Sequence, residues 1–509
     1  MLTRLKIDGF KNLVGVDLHF GPFTCIVGPN GIGKSNVLDA IAFLSAMSRE
    51  PFHEAALKVR SDSGRHGDIR HLFHRSGDST IDTMRFEAEM LVPATGVDDL
   101  GQPATATITS LRYVLELRLR SGYQGGSDSP LELAHESLEP IKLGDVAENL
   151  HFEHSVKWRK SVASGRRSGK STASGKTSGS EFISTKIDSD KRYIRLHQDN
   201  RQGRPRDLLA SLLPRTVLSS TNAVESPTAT LARKEMESWR ILQLEPSLLR
   251  EPDSFNSQPQ ISARGEHMAA TLYRMAGGSL NGFVESSESD DESGNVYARI
   301  ANRLAELYED VQTLWVDRDE KRELLTVCVR TRNQETFPAR ALSDGTLRFL
   351  ALSILEAYDR AQGLVCLEEP ENGIHPFRIP YMIQLLTDMA VDTQDSVSTF
   401  NPLRQVIINT HSPIVASNVP AQSLLVAVPR KVAESGKVRK FVDFQCVKDT
   451  WRHKGGLSAA VAQGELQTYL QAVHREEPAA QTSEVAARTV KALFGNPSQM
   501  RLWGPSGQS

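Results

Sequence analysis

Phe23-Thr24-Cys25-Ile26-Val27-Gly28-Pro29-Asn30-Gly31-Ile32-Gly33-Lys34-Ser35 is the stretch that decides how this chain folds. A short apolar run, suited to a central strand, leads straight into an octapeptide of the form G-x-x-x-x-G-K-[ST]. Residues 36–47 then carry Val37, Leu38, Ile41, Leu44 and Met47 on one side of a helix. Strand, glycine-rich loop and helix in that order make a phosphate cradle. Glycines let the backbone curl until its N–H groups face phosphate oxygens, and the helix dipole adds positive potential. Gly28, Pro29, Asn30, Gly31, Gly33, Lys34, Ser35 and Asn36 are therefore the expected nucleotide-binding residues, with Lys34 directed to the β/γ-phosphates and Ser35 to Mg²⁺. Gly169-Lys170-Ser171 and Gly175-Lys176-Thr177 also contain the terminal triplet, but neither has a glycine five positions ahead or a strand before it.

Ahead of the loop, Leu5, Ile7 and Phe10, then Val16, Leu18 and Phe20, alternate as a half-buried hairpin. Far downstream, Leu342-Ser343-Asp344-Gly345-Thr346 opens an apolar helix, with Ser343 placed to cap it and Gly345 to admit close phosphate approach. Taken alone, Ser-Asp before a helix does no more than cap it. Next, Leu364-Val365-Cys366-Leu367-Glu368-Glu369-Pro370 ends a buried strand in two carboxylates, at the sheet edge where α/β proteins bind ligands. One acid suits the Mg²⁺ shell and the other suits polarising a water. Another buried strand, Gln405–Thr410, ends at His411, which could bond a γ-phosphate or that water.

The order of these motifs resembles the ABC-type ATPase heads of the RecF, RecN and structural-maintenance-of-chromosomes group, and most closely stand-alone AAA family ATPases of the AAA-21 or AAA-15 type, OLD-like without a Toprim domain. Phe10-Lys11-Asn12, the loop Gly28–Ser35, the signature Leu342–Thr346, the acidic strand Leu364–Glu369 and His411 carry the likeness. About 25 residues separate signature from acidic strand end, and about 42 separate the latter from His411, as in such heads. The resemblance implies an α/β P-loop NTPase head with a mixed sheet core and an inserted helical lobe, binding ATP and Mg²⁺. It implies that two heads sandwich ATP, each nucleotide held by one protomer's loop and by the other's Ser343, Asp344, Gly345 and Thr346. Glu369 then matches the catalytic base, His411 the switch histidine, and Ser35 with Glu368 the metal ligands. Glu368 departs from the usual Asp, and its extra methylene displaces the carboxylate by up to about 1.5 Å.

Between the motifs lie about 300 residues without a sustained heptad repeat, which argues against a long coiled-coil arm. Within residues 151–215 there are 15 Lys+Arg against 6 Asp+Glu. The net charge of -2 averages that basic stretch with an acidic run near 285–292, so near-neutrality does not mean an indifferent surface. Lys157-Trp158-Arg159-Lys160 and Lys191-Arg192-Tyr193 interleave base with aromatic, a pattern compatible with DNA or RNA contact through 157–192. Residues 161–180 read as a flexible loop, 207–280 as helices, and Val296–Leu314 as an amphipathic helix. The four cysteines, Cys25, Cys328, Cys366 and Cys446, form no CxxC pair and read as reduced core residues.

The resulting expectation is a head split along the chain: 1–150 and 337–430 as its two parts, 151–206 a basic insertion, 207–336 a helical lobe with returning strands, and 431–509 an extension. Its expected work is ATP hydrolysis by a homodimer that switches or drives nucleic-acid processing, with a separate nuclease-like or other effector and phage or mobile-element defence as the setting. A cytoplasmic location without a membrane partner goes with it, since no window has 18 continuous apolar residues. A slow-hydrolysing ATP-gated scaffold and an ABC transporter ATP-binding subunit are the alternatives. The 300-residue interval and the Leu-Ser-Asp-Gly-Thr signature stand against the transporter.

Overall fold

A computed structural model describes residues 1–59, 68–76, 79–120, 130–165, 181–199, 204–278, 290–358, 363–434, 437–462 and 464. The chain forms two units. One comprises Met1–Trp239, Asp392–Val397 and Pro420–Ser509, and the other Arg240–Val391 and Ser398–Val419.

The first unit carries an antiparallel sheet in the spatial order Arg206–Leu209, Lys191–Leu196, Ile183–Asp188, Leu131–Pro140, Ser110–Leu119, Thr83–Leu91, Leu2–Asp8, Val16–His19. The expected hairpin is present, with Arg4 opposite His19 and Ile7 opposite Val16. Phe10, at its end, is buried against the rings of Phe43 and Phe86. Phe23–Val27 is buried along its whole length and pairs in parallel with Leu424–Glu434, which in turn pairs antiparallel with Lys437–Val447. A period-2 strand with two covered faces leaves little room for polar side chains, which is why this segment reads as an almost continuous apolar run, broken only by Thr24. Arg452 ties three remote segments of this unit, donating to the carbonyls of His19 and Gln422 and to Thr24 Oγ1.

Glu136 lies at the heart of the same unit, fully buried. Tyr113 OH and the backbone N–H groups of Val217 and Leu218 donate to it at 3.1, 2.8 and 2.9 Å. Thr216, beside those two amides, donates to Met47 O at the end of the glycine-loop helix, so the carboxyl fixes the segment bracing that helix. Burial pushes the Glu136 carboxyl up to about 7 against these bonds, which favour ionisation. A folded-state pKa above the unfolded value stabilises the fold fully below the unfolded value near 4.5, and that stability is lost as pH rises through about 7. Wild-type stability should therefore fall by about 3 kcal/mol more than that of Glu136→Gln between pH 5 and 8, read from urea midpoints.

The second unit pairs Arg240–Leu242, Gly363–Glu368 and Arg404–Thr410 in parallel, Glu368 lying opposite Asn409. A separate antiparallel sheet joins Asp253–Ser254, Leu324–Thr331, Val311–Asp319 and Thr336–Pro338. Helix Asp344–Ala357 packs against Asp290–Leu307 and Ile379–Asp388.

Several expected elements differ. The amphipathic helix ends at Leu307, and Val311–Leu314 belongs to a strand. Its apolar positions satisfy either period over so short a run, and pairing of Leu314 with Val329 settles the choice. Asp207–Leu209 likewise lies in an edge strand opposite Tyr193–Arg195, where helical spacing was expected. Most of the basic loop 161–180, most of the acidic run 285–293 and most of the helix expected over 457–473 lie outside the described residues. Among the described residues all four cysteines are free and buried, and no helix is long and apolar enough to cross a membrane.

Candidate functional site

In the first unit the glycine loop is shaped by close neighbours. Gly31 and Gly33 sit at φ +73° and +113°, backbone conformations that a side chain resists. A Cβ on Gly33 would lie 2.2 Å from Asn12 Nδ2, and one on Gly28 would lie 2.9 Å from Ala427 O in the adjacent strand. Helix Lys34–Met47 begins immediately after Gly33. Lys34 is buried, and its Nζ donates to Gly28 O at 2.8 Å and Pro29 O at 3.0 Å, holding the ammonium inside the loop.

Asn12 locks this arrangement. Its Nδ2 donates to Ile32 O at 2.7 Å, and its Oδ1 accepts from Asn36 Nδ2 at 2.7 Å. Lys11, next to it, pairs with Asp39 at 2.6 Å. Asn36, expected to touch nucleotide, is thus engaged in clamping the loop to its helix. Sequence alone does not mark Asn12 as a site residue, because a hairpin turn gives no sign of what its side chains will reach. Asn12→Ala should weaken ATP binding by roughly tenfold, the worth of about 1.4 kcal/mol of lost preorganisation, checked by calorimetric titration.

In the second unit Ser343 caps helix Asp344–Ala357, accepting from Thr346 N and meeting Thr346 Oγ1 at 2.7 Å. Asp344 is paired with Arg250, which also donates to Leu342 O. Gly345 serves a contact within the unit: a Cβ there would come 2.4 Å from Gly373 O. Its missing side chain is used by protein backbone, a use that the sequence did not disclose.

Glu368 ends its strand, and Glu369 follows at φ +45°, a left-handed conformation rare for glutamate. Glu369 N donates to Asn409 O at 3.0 Å, which fixes the turn. His411 Nδ1 lies 2.6 Å from Glu369 Oε1, and Asn372 Nδ2 donates to Oε2 at 3.1 Å. Both groups are part-exposed, at 31% for Glu369 and 39% for His411, so water can reach them. Glu371 is buried behind them, paired with Thr410 Oγ1, and burial raises its carboxyl above the usual range. A part-exposed carboxylate oriented by imidazole and amide is suited to accepting a proton from water.

The donor chemistry fits a nucleotide with Mg²⁺. The loop supplies a cation, a helix N-terminus and glycine backbone for phosphates. Ser35 in the first unit and Glu368 in the second are each a hard oxygen donor, and no group of three metal-ligating side chains occurs among the described residues. A bound Mg²⁺ would draw on phosphate and water oxygens beside the protein donors.

The interleaved aromatic of the basic stretch meets a correction. Trp158 is fully buried, its ring packed on Phe152 and His154, so it cannot stack on a base. The apolar face of helix Val156–Val162 draws it into the core, and Lys157 pairs with Asp395.

A family model described as "AAA domain, putative AbiEii toxin, Type IV TA system" (AAA_21) matches residues 117–417. The chain belongs to the AAA_21 family. This AAA_21 protein also matches the RecF/RecN/SMC N terminal domain over residues 1–92, the stretch holding Asn12 and the glycine loop. Both families are of P-loop ATP-binding proteins. It is 54% identical over 41 residues to an OLD nuclease of Thermus scotoductus, covering 8% of each chain. It is 46% identical over 46 residues to the DNA replication and repair protein RecF of Phocaeicola vulgatus, covering 9% of this chain and 12% of RecF. The AAA_21 protein thus spans only a small part of these relatives. A crystal structure of an Smc head bound to the C-terminal winged-helix domain of ScpA is similar at 13% identity and a TM-score of 0.42, over 88% of this chain and 98% of that one.

Proposed function

We propose that this AAA_21 protein binds ATP with Mg²⁺ and hydrolyses it to ADP and phosphate. What carries the reading is the geometry of Glu369, held left-handed at the end of its strand with His411 on one carboxylate oxygen. That turn brings the carboxylate to the strand end beside His411 and Asn372, part-exposed, where a base can present its lone pairs to a water. Gly28, Pro29, Asn30, Gly31, Gly33 and Lys34 cradle the phosphates, with Asn36 acting through Asn12. Ser35 and Glu368 would be the residues to hold Mg²⁺, which would supply positive charge against the phosphates. Glu369 takes the proton from the attacking water and His411 steadies the carboxylate.

Ser343, Asp344, Gly345 and Thr346 meet the nucleotide of a second copy, making ATP the glue of a homodimer. Exposure of Ser343 and Asp344 at the start of their helix supports this role. The dimer acts in the cytoplasm as a switch or motor for DNA or RNA work done by a separate nuclease-like effector, with phage or mobile-element defence as the setting. The short stretches of identity with the DNA replication and repair protein RecF and with the OLD nuclease support the nucleic-acid connection. Phosphate release by the full chain, with and without duplex or single-stranded DNA, tests the proposal, alongside light scattering with and without ATP. Absence of both turnover and ATP-dependent dimerisation would sink it.

A further inference from the structure

We propose that Asn372 is a positioning residue that ties the orientation of Glu369 to the helix opened by Ser343–Thr346, an inference that rests on the ATPase reading above. Three contacts within the second unit make the connection. Asn372 Nδ2 donates to Glu369 Oε2 at 3.1 Å, opposite the oxygen held by His411 at 2.6 Å, so the carboxylate plane is gripped from both sides. The carbonyl of Asn372 accepts from Arg348 Nη1. Arg348 lies on helix Asp344–Ala357, two residues past Thr346, and its Nε also donates to Leu244 O at 3.3 Å. The third contact is steric. Gly373, at φ +81°, directs its carbonyl at Gly345, where a Cβ would lie only 2.4 Å away.

The turn after Glu369 is thus keyed to the first turns of that helix by one charge-assisted hydrogen bond and one contact that only glycine permits. A close-packed contact transmits displacement instead of absorbing it. Any ligand that shifts Ser343–Thr346 will shift residues 372–373, and with them the amide that holds Glu369. The signature helix therefore sets the competence of the base in its own protomer. Asn372 N also donates to Glu369 O at 3.1 Å, and a residue that did no more than close this turn would affect stability and leave turnover alone.

The test uses the full chain and steady-state ATPase kinetics. Asn372→Ala should lower kcat about tenfold with KM and ATP-dependent dimerisation within about twofold of wild type, because it alters the base and not the binding. Asn372→Asp, similar in shape but unable to donate, should fall at least as far. Arg348→Ala should lower kcat similarly, Arg348→Lys should restore part of it, and Asn372→Ala/Arg348→Ala should fall no more than about twofold below the lower single variant, since both act through one contact path. A kcat for Asn372→Ala within about twofold of wild type, or losses that multiply in the double variant, would overturn the inference. A wild-type chain without turnover would overturn the ATPase reading itself and the inference with it, so the two failures are told apart by the wild-type rate.

Discussion

Glu369→Gln is expected to lower ATP turnover by roughly 10²–10⁴-fold while leaving ATP affinity within a few-fold of wild type, the range that a positioned general base contributes. Glutamine preserves the shape of the side chain and can still meet Asn372 or His411, but its amide has no basic oxygen to take a proton from water. The folded geometry should survive, since Glu369 is held mainly through its backbone N–H on Asn409 O and is part-exposed. Phosphate release together with calorimetric ATP titration distinguishes the outcomes. A turnover within about tenfold of wild type would mean that another group is the base. Glu368→Gln should behave differently, with a loss that rising Mg²⁺ concentration partly restores, since Glu368 is assigned to the metal and not to the water.

Lys34→Ala should raise the dissociation constant for ATP by roughly 10²–10³-fold, about 3–4 kcal/mol. Its ammonium is buried inside the glycine loop and is therefore not replaced cheaply by water or salt ions. The two carbonyls to which it donates, Gly28 O and Pro29 O, lose a partner in the variant, so thermal unfolding without nucleotide is the companion measurement. A stable variant with weak ATP binding is the expected result. Affinity within about threefold of wild type would show that the loop is not where the nucleotide binds.

Much of this was legible beforehand because it is local. Phe23–Val27, the loop and the following helix occupy one continuous stretch, and their spacing alone dictates strand, anion cradle and helix. The helix Met268–Met275 lies within the span 207–280 that reads as helical. Val311–Leu314 was not legible, because four residues satisfy a helix and a strand alike until a partner strand is supplied. Trp158 misled for a related reason: sequence places an aromatic among bases but does not say which face of its helix turns inward.

Sequence by itself determined the chemical inventory: a P-loop, a capped helix opening with Ser343, two carboxylates at a strand end and a histidine after another strand. Each of these depends on neighbours a few residues away, where backbone geometry leaves few choices. Tertiary structure alone decided how the inventory is held. Asn12 clamps a loop 20 residues on, His411 meets Glu369 across 42 residues, and Glu136 caps a segment 81 residues distant. It also decided that Gly345 gives its space to Gly373, and that Asn372 and Arg348 connect a helix to the base. Such contacts form only when packing of the apolar strands and helices fixes which remote side chains share a few ångströms, and no spacing along the chain encodes that distance.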